Sequence, residues 1–294
     1  MSAKKIFIFL IVSLLFSSTY AKVTEIPYTQ LPTGQLVVEL TIDGIDLPQL
    51  FIVETSGGNF LRSDMNYRLS TLGLDTLKKG YKFAHIKMGD RTIEKVKFET
   101  KNKLGKRSEY SFPNAVLGTI GSQLFKDLSV QFDFQKKVIR IADTKEELNI
   151  PEGTNYIPFS QSFLNHIPII EIQPWQYMTQ RLEVEVSVPL GIVLAWNGPA
   201  LEVRYRNNTN MQSYKVKLDD VKTITITEQF VKTIDFDHSF SIYNAPITFS
   251  DDVKPLLGYQ FLNQFLVTFD YDKGKLYLDP QTKEAKALFE SEKK

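Results

Sequence analysis

The stretch "LPQLFIVETSGGNFL" (Leu47 to Leu61) decides how the chain is read. An apolar run, Leu50 to Val53, ends on a single acid, Glu54. A small polar cluster, Thr55-Ser56-Gly57-Gly58, follows before the chain turns apolar again. Such a pattern predicts a buried strand that delivers one carboxylate to a tight turn.

Working outward, the segment around it recurs. Ile26-Pro27-Tyr28-Thr29-Gln30 is echoed by Ile157-Pro158-Phe159-Ser160-Gln161, an offset of 131. "AVLGTIGSQLFKDLSVQFDFQKKVIRI" (Ala115 to Ile141) is echoed by "PLLGYQFLNQFLVTFDYDKGKLYL" (Pro255 to Leu278). Pairing Leu117-Gly118 with Leu257-Gly258 gives an offset of 140, while Phe132-Asp133-Phe134 and Phe269-Asp270-Tyr271 give 137. Two motifs recurring in the same order at nearly constant offset identify a duplicated chain. The expected division is a leader at residues 1–21, a first lobe at 22–148 and a second lobe at 149–294. The charged segment "DTKEELNIPEGTN" (Asp143 to Asn155) makes the join.

Both halves read as mainly β. "QLVVELTI" is rich in β-branched residues and runs into an Asp43-Gly44 turn. "KFAHIKM" and "TIEKVKFET" flank Gly89-Asp90 as a hairpin. "KTITITEQF" and "FSIYNAPITF" are strand-like. Short helices are predicted at Ser63 to Leu77, Ile120 to Leu128 and Tyr259 to Phe265, with an exposed terminal helix in "KEAKALFESEKK".

The 294 residues include 43% hydrophobic and 12% aromatic side chains, enough for a substantial core. "MSAKK" followed by the apolar run Ile6 to Phe16 has the layout of a secretory leader, with cleavage expected after Ala21. Without Lys4 and Lys5 the balance is 33 basic against 34 acidic residues, which argues against nucleic acid as a partner. No membrane span is expected after leader cleavage. With no cysteine and three scattered histidines, no metal-ligand spacing is present, and neither metal nor cofactor is expected. The expected location is periplasmic or secreted, in a bacterial source.

Each half thus contains a strand ending in a tight loop, a hairpin, a Leu-Gly pair, a short helix and a closing strand with an aspartate between aromatics. This plan resembles the pepsin/retropepsin-like aspartic proteases, closest to exported bacterial two-lobed members, over nearly the whole chain beyond the leader. The resemblance implies a two-lobed β-barrel fold from internal duplication, a cleft between lobes, and one catalytic Asp-Thr-Gly loop in each lobe. In the first lobe that triplet falls on Glu54-Thr55-Ser56. In the second, counting back from Leu257-Gly258 places it on Pro189-Leu190-Gly191, with spacings of 64 residues (Glu54 to Gly118) and 69 residues (Pro189 to Gly258).

On that alignment the second acid is missing. The family reaction needs two facing carboxylates that share one proton. Proline has no ionisable group, Leu190 has no hydroxyl to brace the loops, and Glu54 reaches roughly 1.5 Å further than Asp. Glu183 and Glu185 read as too distant to substitute, roughly 20 and 13 Å back along an extended strand. Glu202 follows the loop with nothing to place it at the cleft. The expectation is therefore an exported aspartic-protease-like protein without peptidase activity, binding peptide or protein in its cleft. The alternatives are an active aspartic-type endopeptidase using Glu54, and a structural role in the cell envelope. Asp133 and Asp270 are expected to brace the repeat, and Trp175 and Trp196 to lie in the core or at a rim. The resemblance implies that the hairpin carrying His85 takes the place of the family's cleft-covering flap, and a lone histidine on a strand is expected to be solvated.

Overall fold

A computed structural model describes residues 23–62, 75–77, 80–101, 116–175, 178–195, 212–217, 223–237 and 239–290. The leader, most of the helix expected at Ser63 to Leu77, Trp196, Glu202 and His238 lie outside these residues. Twenty-two strands, three short helices and a 3-10 turn are present among them.

The first half forms an eight-stranded sheet. Its strands are β2 (Thr29–Gln30), β3 (Leu36–Ile42), β4 (Ile45–Glu54), β5 (Phe60–Arg62), β6 (Asp75–Leu77), β7 (Gly80–Met88), β8 (Arg91–Lys101) and β9 (Val116–Gly121). The second half forms another, from β13 (Ser160–Gln161), β14 (Pro168–Trp175), β15 (Met178–Glu185), β16 (Ile192–Leu194), β17 (Gln212–Lys217), β18 (Thr223–Phe236), β19 (Phe240–Phe249) and β20 (Leu256–Gly258). The orders β2-β3-β4-β9-β5-β8-β7-β6 and β13-β14-β15-β20-β16-β19-β18-β17 match strand for strand. The extra pairings β3–β7 and β14–β18 fold each sheet back on itself in the same way.

A third sheet joins the halves. It contains β1 (Thr24–Pro27), β10 (Ser129–Asp133), β11 (Val138–Ala142), β12 (Asn155–Pro158), β21 (Phe265–Asp270) and β22 (Lys275–Pro280), in the order β1-β11-β10-β21-β22-β12. The two aromatic-Asp-aromatic repeats meet at its centre, where β10 pairs antiparallel with β21. Phe132 and Phe269 pack edge to face across that seam, their centroids 5.8 Å apart. One buried apolar cluster runs through all three sheets, from Ile26 and Phe51 to Phe269 and Leu278. Its continuity gives the two halves a common core.

The strand predictions appear as β3, β7, β8, β18 and β19. Gly89 turns the β7–β8 hairpin with φ +59°, a conformation that glycine adopts without a steric penalty. The helices shorten to Ser122–Phe125, Tyr259–Leu262 and Lys283–Ala287, and Asp75–Leu77 is strand. The terminal helix is less exposed than expected. Ala285 is buried, and Phe289 packs on Phe240 and Phe265 at 5.4 and 6.0 Å.

The paired aspartates brace turns. Asp133 Oδ1 accepts the Lys136 backbone N–H at 3.0 Å, and Asp270 Oδ1 accepts that of Lys273 at 3.1 Å. Asp133 also pairs with Arg140 at 3.2 Å. Each carboxylate thus closes the tight turn between the two strands that form the centre of its half of the connecting sheet.

Candidate functional site

β4 and β15 lie next to β9 and β20, and both pairs are parallel. Glu54 stands opposite Gly121, and Glu185 opposite Gly258. Gly121 and Gly258 each precede a short helix, Ser122–Phe125 and Tyr259–Leu262. Register therefore matches Ile120-Gly121 with Leu257-Gly258. Leu117-Gly118, the pair expected from sequence, falls where the β4–β9 register shifts: Leu50 pairs with Val116, but Phe51 with Gly118. That bulge takes one residue out of the ladder.

The shift corrects the second loop. Its counterpart of Glu54-Thr55-Ser56 is Glu185-Val186-Ser187, and Pro189-Leu190-Gly191 lies four residues further on. Pro189 instead meets the β2–β3 hairpin: a Cβ built on Gly34 would lie 2.9 Å from Pro189 Cβ. Leu190 is buried beside Val193 and Leu256. Gly191 O accepts the Gly258 N–H at 2.9 Å. Glu185, set aside as too distant, is the acid that the second lobe brings to the loop. The signal was in the chain, since the 131-residue offset of the Ile-Pro echo carries Glu54 onto Glu185.

The loops grip each other across the lobes. Thr55 Oγ1 donates to Val184 O at 2.8 Å and accepts the Val186 N–H at 3.1 Å. Val186 has no hydroxyl to return that pair of bonds. Ser187 supplies half of it, donating from Oγ to Val53 O. The Ser56 N–H donates to Glu185 Oε2 at 2.7 Å, and the Ser187 N–H to Glu185 Oε1 at 3.0 Å. Behind the first loop, Ser122 Oγ donates to Thr55 O and lies 3.1 Å from Tyr271 Oη of the second half.

The two acids have unequal surroundings. Glu185 is 1% exposed, whereas Glu54 is half-buried. Burial pushes the Glu185 carboxyl above the ordinary glutamate range, against the opposing pull of the hydrogen bonds from Ser56 and Ser187. Glu54 folds back over its own turn. A Cβ built on Gly57 would lie 2.6 Å from Glu54 Cδ and 2.7 Å from Oε2. The bare glycine leaves room for the longer acid.

Glu54 and Glu185 line one small cavity of about 20 Å³ together with Gln35, Ile52, Thr119 and Ser187. That volume holds roughly one water molecule. A buried acid whose pKa burial raises, a second and less buried acid from the other lobe and a water-sized space beside both form an arrangement suited to acid–base hydrolysis.

His85 does not overlie this site. Its hairpin turn is docked on β1, where Thr24 Oγ1 donates to Asp90 Oδ1 at 2.6 Å. The exposed His85 ring lies 2.7 Å from Asp43 Oδ2. Among the described residues no group of three His, Cys, Asp or Glu side chains could hold a metal, and no helix is long and apolar enough to cross a membrane.

No protein-family model and no curated protein matches the chain. Solved structures do. An aspartic proteinase from Irpex lacteus superposes with a TM-score of 0.51 at 13% identity, covering 92% of this chain and 100% of that one. Basic 7S globulin from soybean superposes with a TM-score of 0.53 at 10% identity, covering 92% of this chain and 99% of that one. With the matched eight-stranded sheets and the shared six-stranded sheet, these likenesses show that the chain has the two-lobed, mainly β fold of the pepsin-like aspartic proteinases.

Proposed function

We propose that the chain is a peptidase of the aspartic type in which the acid pair is Glu54 and Glu185. The observation that carries this reading is the water-sized cavity lined by both carboxyls, one from each lobe. In the reaction, ionised Glu54 takes a proton from water as the water attacks the peptide carbonyl carbon. Protonated Glu185 gives its proton to the carbonyl oxygen, forming a neutral tetrahedral diol. Collapse of the diol breaks the C–N bond as the nitrogen receives the proton held on Glu54 and a diol hydroxyl gives its proton to Glu185, which restores the pair. The reaction uses no cofactor. The substrate is an extended peptide or unfolded protein lying between the lobes. The leader-like pattern of residues 1–21 supports export, and with it a site of action outside the cytoplasm.

A second reading keeps the cleft for binding peptide or protein without cleavage. It is favoured by the closure of Glu185, whose two oxygens are both occupied by backbone N–H groups. Cleavage of a peptide library by the purified chain between pH 3 and 8 separates the two, that span covering about the range of carboxylate titration. Cleavage lost in both Glu54→Gln and Glu185→Gln supports the acid pair. Cleavage absent from the wild type, with peptide still captured, supports binding alone.

A further inference from the structure

A second concavity, of about 530 Å³, opens on the first lobe beside β8 and the segment Gln123–Leu128, and reaches His166 of the second half. Its volume is in the range of ligand sites. It is distinct from the acid pair, neither of whose members lines it.

Charge and shape set its character. Lys95 and Lys97 project from β8, both exposed, and neither has an ion-pair partner among the described residues. Lys126, half exposed, also lines the groove and lies 3.7 Å from Asp127, and Arg91 is engaged with Asp143. Ile93 and Leu124 supply apolar wall. The backbone is strained at two positions of this lining, with φ +55° at Lys95 and +54° at His166. Left-handed backbone is uncommon at non-glycine residues.

We propose that this groove binds an acidic peptide segment, its carboxylates on Lys95 and Lys97 and its apolar side chains against Ile93 and Leu124. A polyphosphate backbone fits less well. Glu94 and Asp127 also line the groove; they repel any anion, but they accept hydrogen bonds from the N–H groups of a peptide, which a polyphosphate lacks. The groove also touches the Glu54 loop. Asn59, five residues after Glu54, lines it while its side chain accepts the Gly121 N–H at 2.9 Å and donates to Lys97 O at 3.4 Å. A peptide seated there contacts the residue that ties the acid-bearing loop to β8 and β9.

The test is fluorescence anisotropy of the full chain with a labelled (Glu-Leu)3 peptide, with (Lys-Leu)3 and a labelled oligothymidylate as comparison probes. Saturable binding of the acidic peptide, weakened at least tenfold in Lys95→Glu/Lys97→Glu and less in Lys95→Gln/Lys97→Gln, supports the proposal. Both variants change exposed side chains, and an unchanged melting temperature verifies their folding. The proposal is overturned by absent binding, by binding indifferent to both variants, or by (Lys-Leu)3 or oligothymidylate binding as tightly. Glu54→Gln is expected to leave this binding unchanged, so its outcome is separate from that of the peptidase reading.

Discussion

Glu54 and Glu185 occupy the same register position in two matched parallel strand pairs, Glu54 opposite Gly121 and Glu185 opposite Gly258. They nevertheless differ in environment: one is half-buried against Gly57, and the other is closed off by Ser56 and Ser187. This inequality gives each acid a separately measurable role.

Glu54→Gln is expected to abolish peptide cleavage while shifting the unfolding free energy by less than about 1 kcal/mol, since the side chain is only half-buried. Glu185→Gln is expected to abolish cleavage and also to cost about 1–3 kcal/mol. One of the two N–H donors would then face an amide NH2 in a buried site. Paired cleavage assays and urea titrations check both outcomes.

The pH dependence follows from the direction of the Glu185 shift. Its pKa is raised in the folded state, so folding binds a proton that the unfolded chain releases above about pH 4.3. The stability it contributes is complete below that pH and is lost as pH rises through the folded value. Asp270, raised chiefly by burial, acts in the same sense. Urea midpoints measured from pH 4 to 8 should fall less steeply in Glu185→Gln than in the wild type. An identical slope would count against a proton held at Glu185.

Gly57→Ala is expected to separate position from folding. The new Cβ meets the flexible end of Glu54 rather than backbone, so the fold persists while the carboxyl moves. A displacement of about 1 Å is expected to cost on the order of 100-fold in kcat/KM. Adding Glu54→Asp withdraws the acid by one methylene and should restore part of the activity. A double variant slower than Gly57→Ala alone would count against this account.

Thr55→Val removes the hydroxyl that joins the loops. Val184 O and the Val186 N–H are left buried without their partner. The expected loss is about 3 kcal/mol. Thr55→Ser, which keeps the hydroxyl, should lose less than half of that. Thermal and urea unfolding of the two variants provide the comparison.

Much of this architecture is legible in the chain. The echo of Ile26-Pro27 by Ile157-Pro158 marks the duplication, and the hairpin about Gly89-Asp90 is local turn chemistry. The two aspartates between aromatics identify the strands that meet as β10 and β21. Glu54 is visible as the acid that ends an apolar run. The sequence pattern predicts longer helices than the structure holds, because four-residue helices leave little periodic pattern. The terminal helix was expected to be exposed because the core it docks on is formed by distant strands.

The sequence by itself determined the repeat, the β character and the strand that carries Glu54, since all of these rest on local patterning and turn residues. Only the tertiary structure decided which acid faces the same cavity. Two Leu/Ile-Gly pairs lie three residues apart in the first half, Leu117-Gly118 and Ile120-Gly121; the flanking offsets of 131 and 137 point to the second pair and to Glu185, but they differ from each other and so do not fix the register. The hydrogen-bond register of β4 on β9, with its bulge at Leu50/Phe51, and of β15 on β20 makes that choice between strands more than 60 residues apart. Choosing Ile120-Gly121 replaces Pro189 by Glu185, because pairing between distant strands, and not distance along the chain, sets which side chains meet.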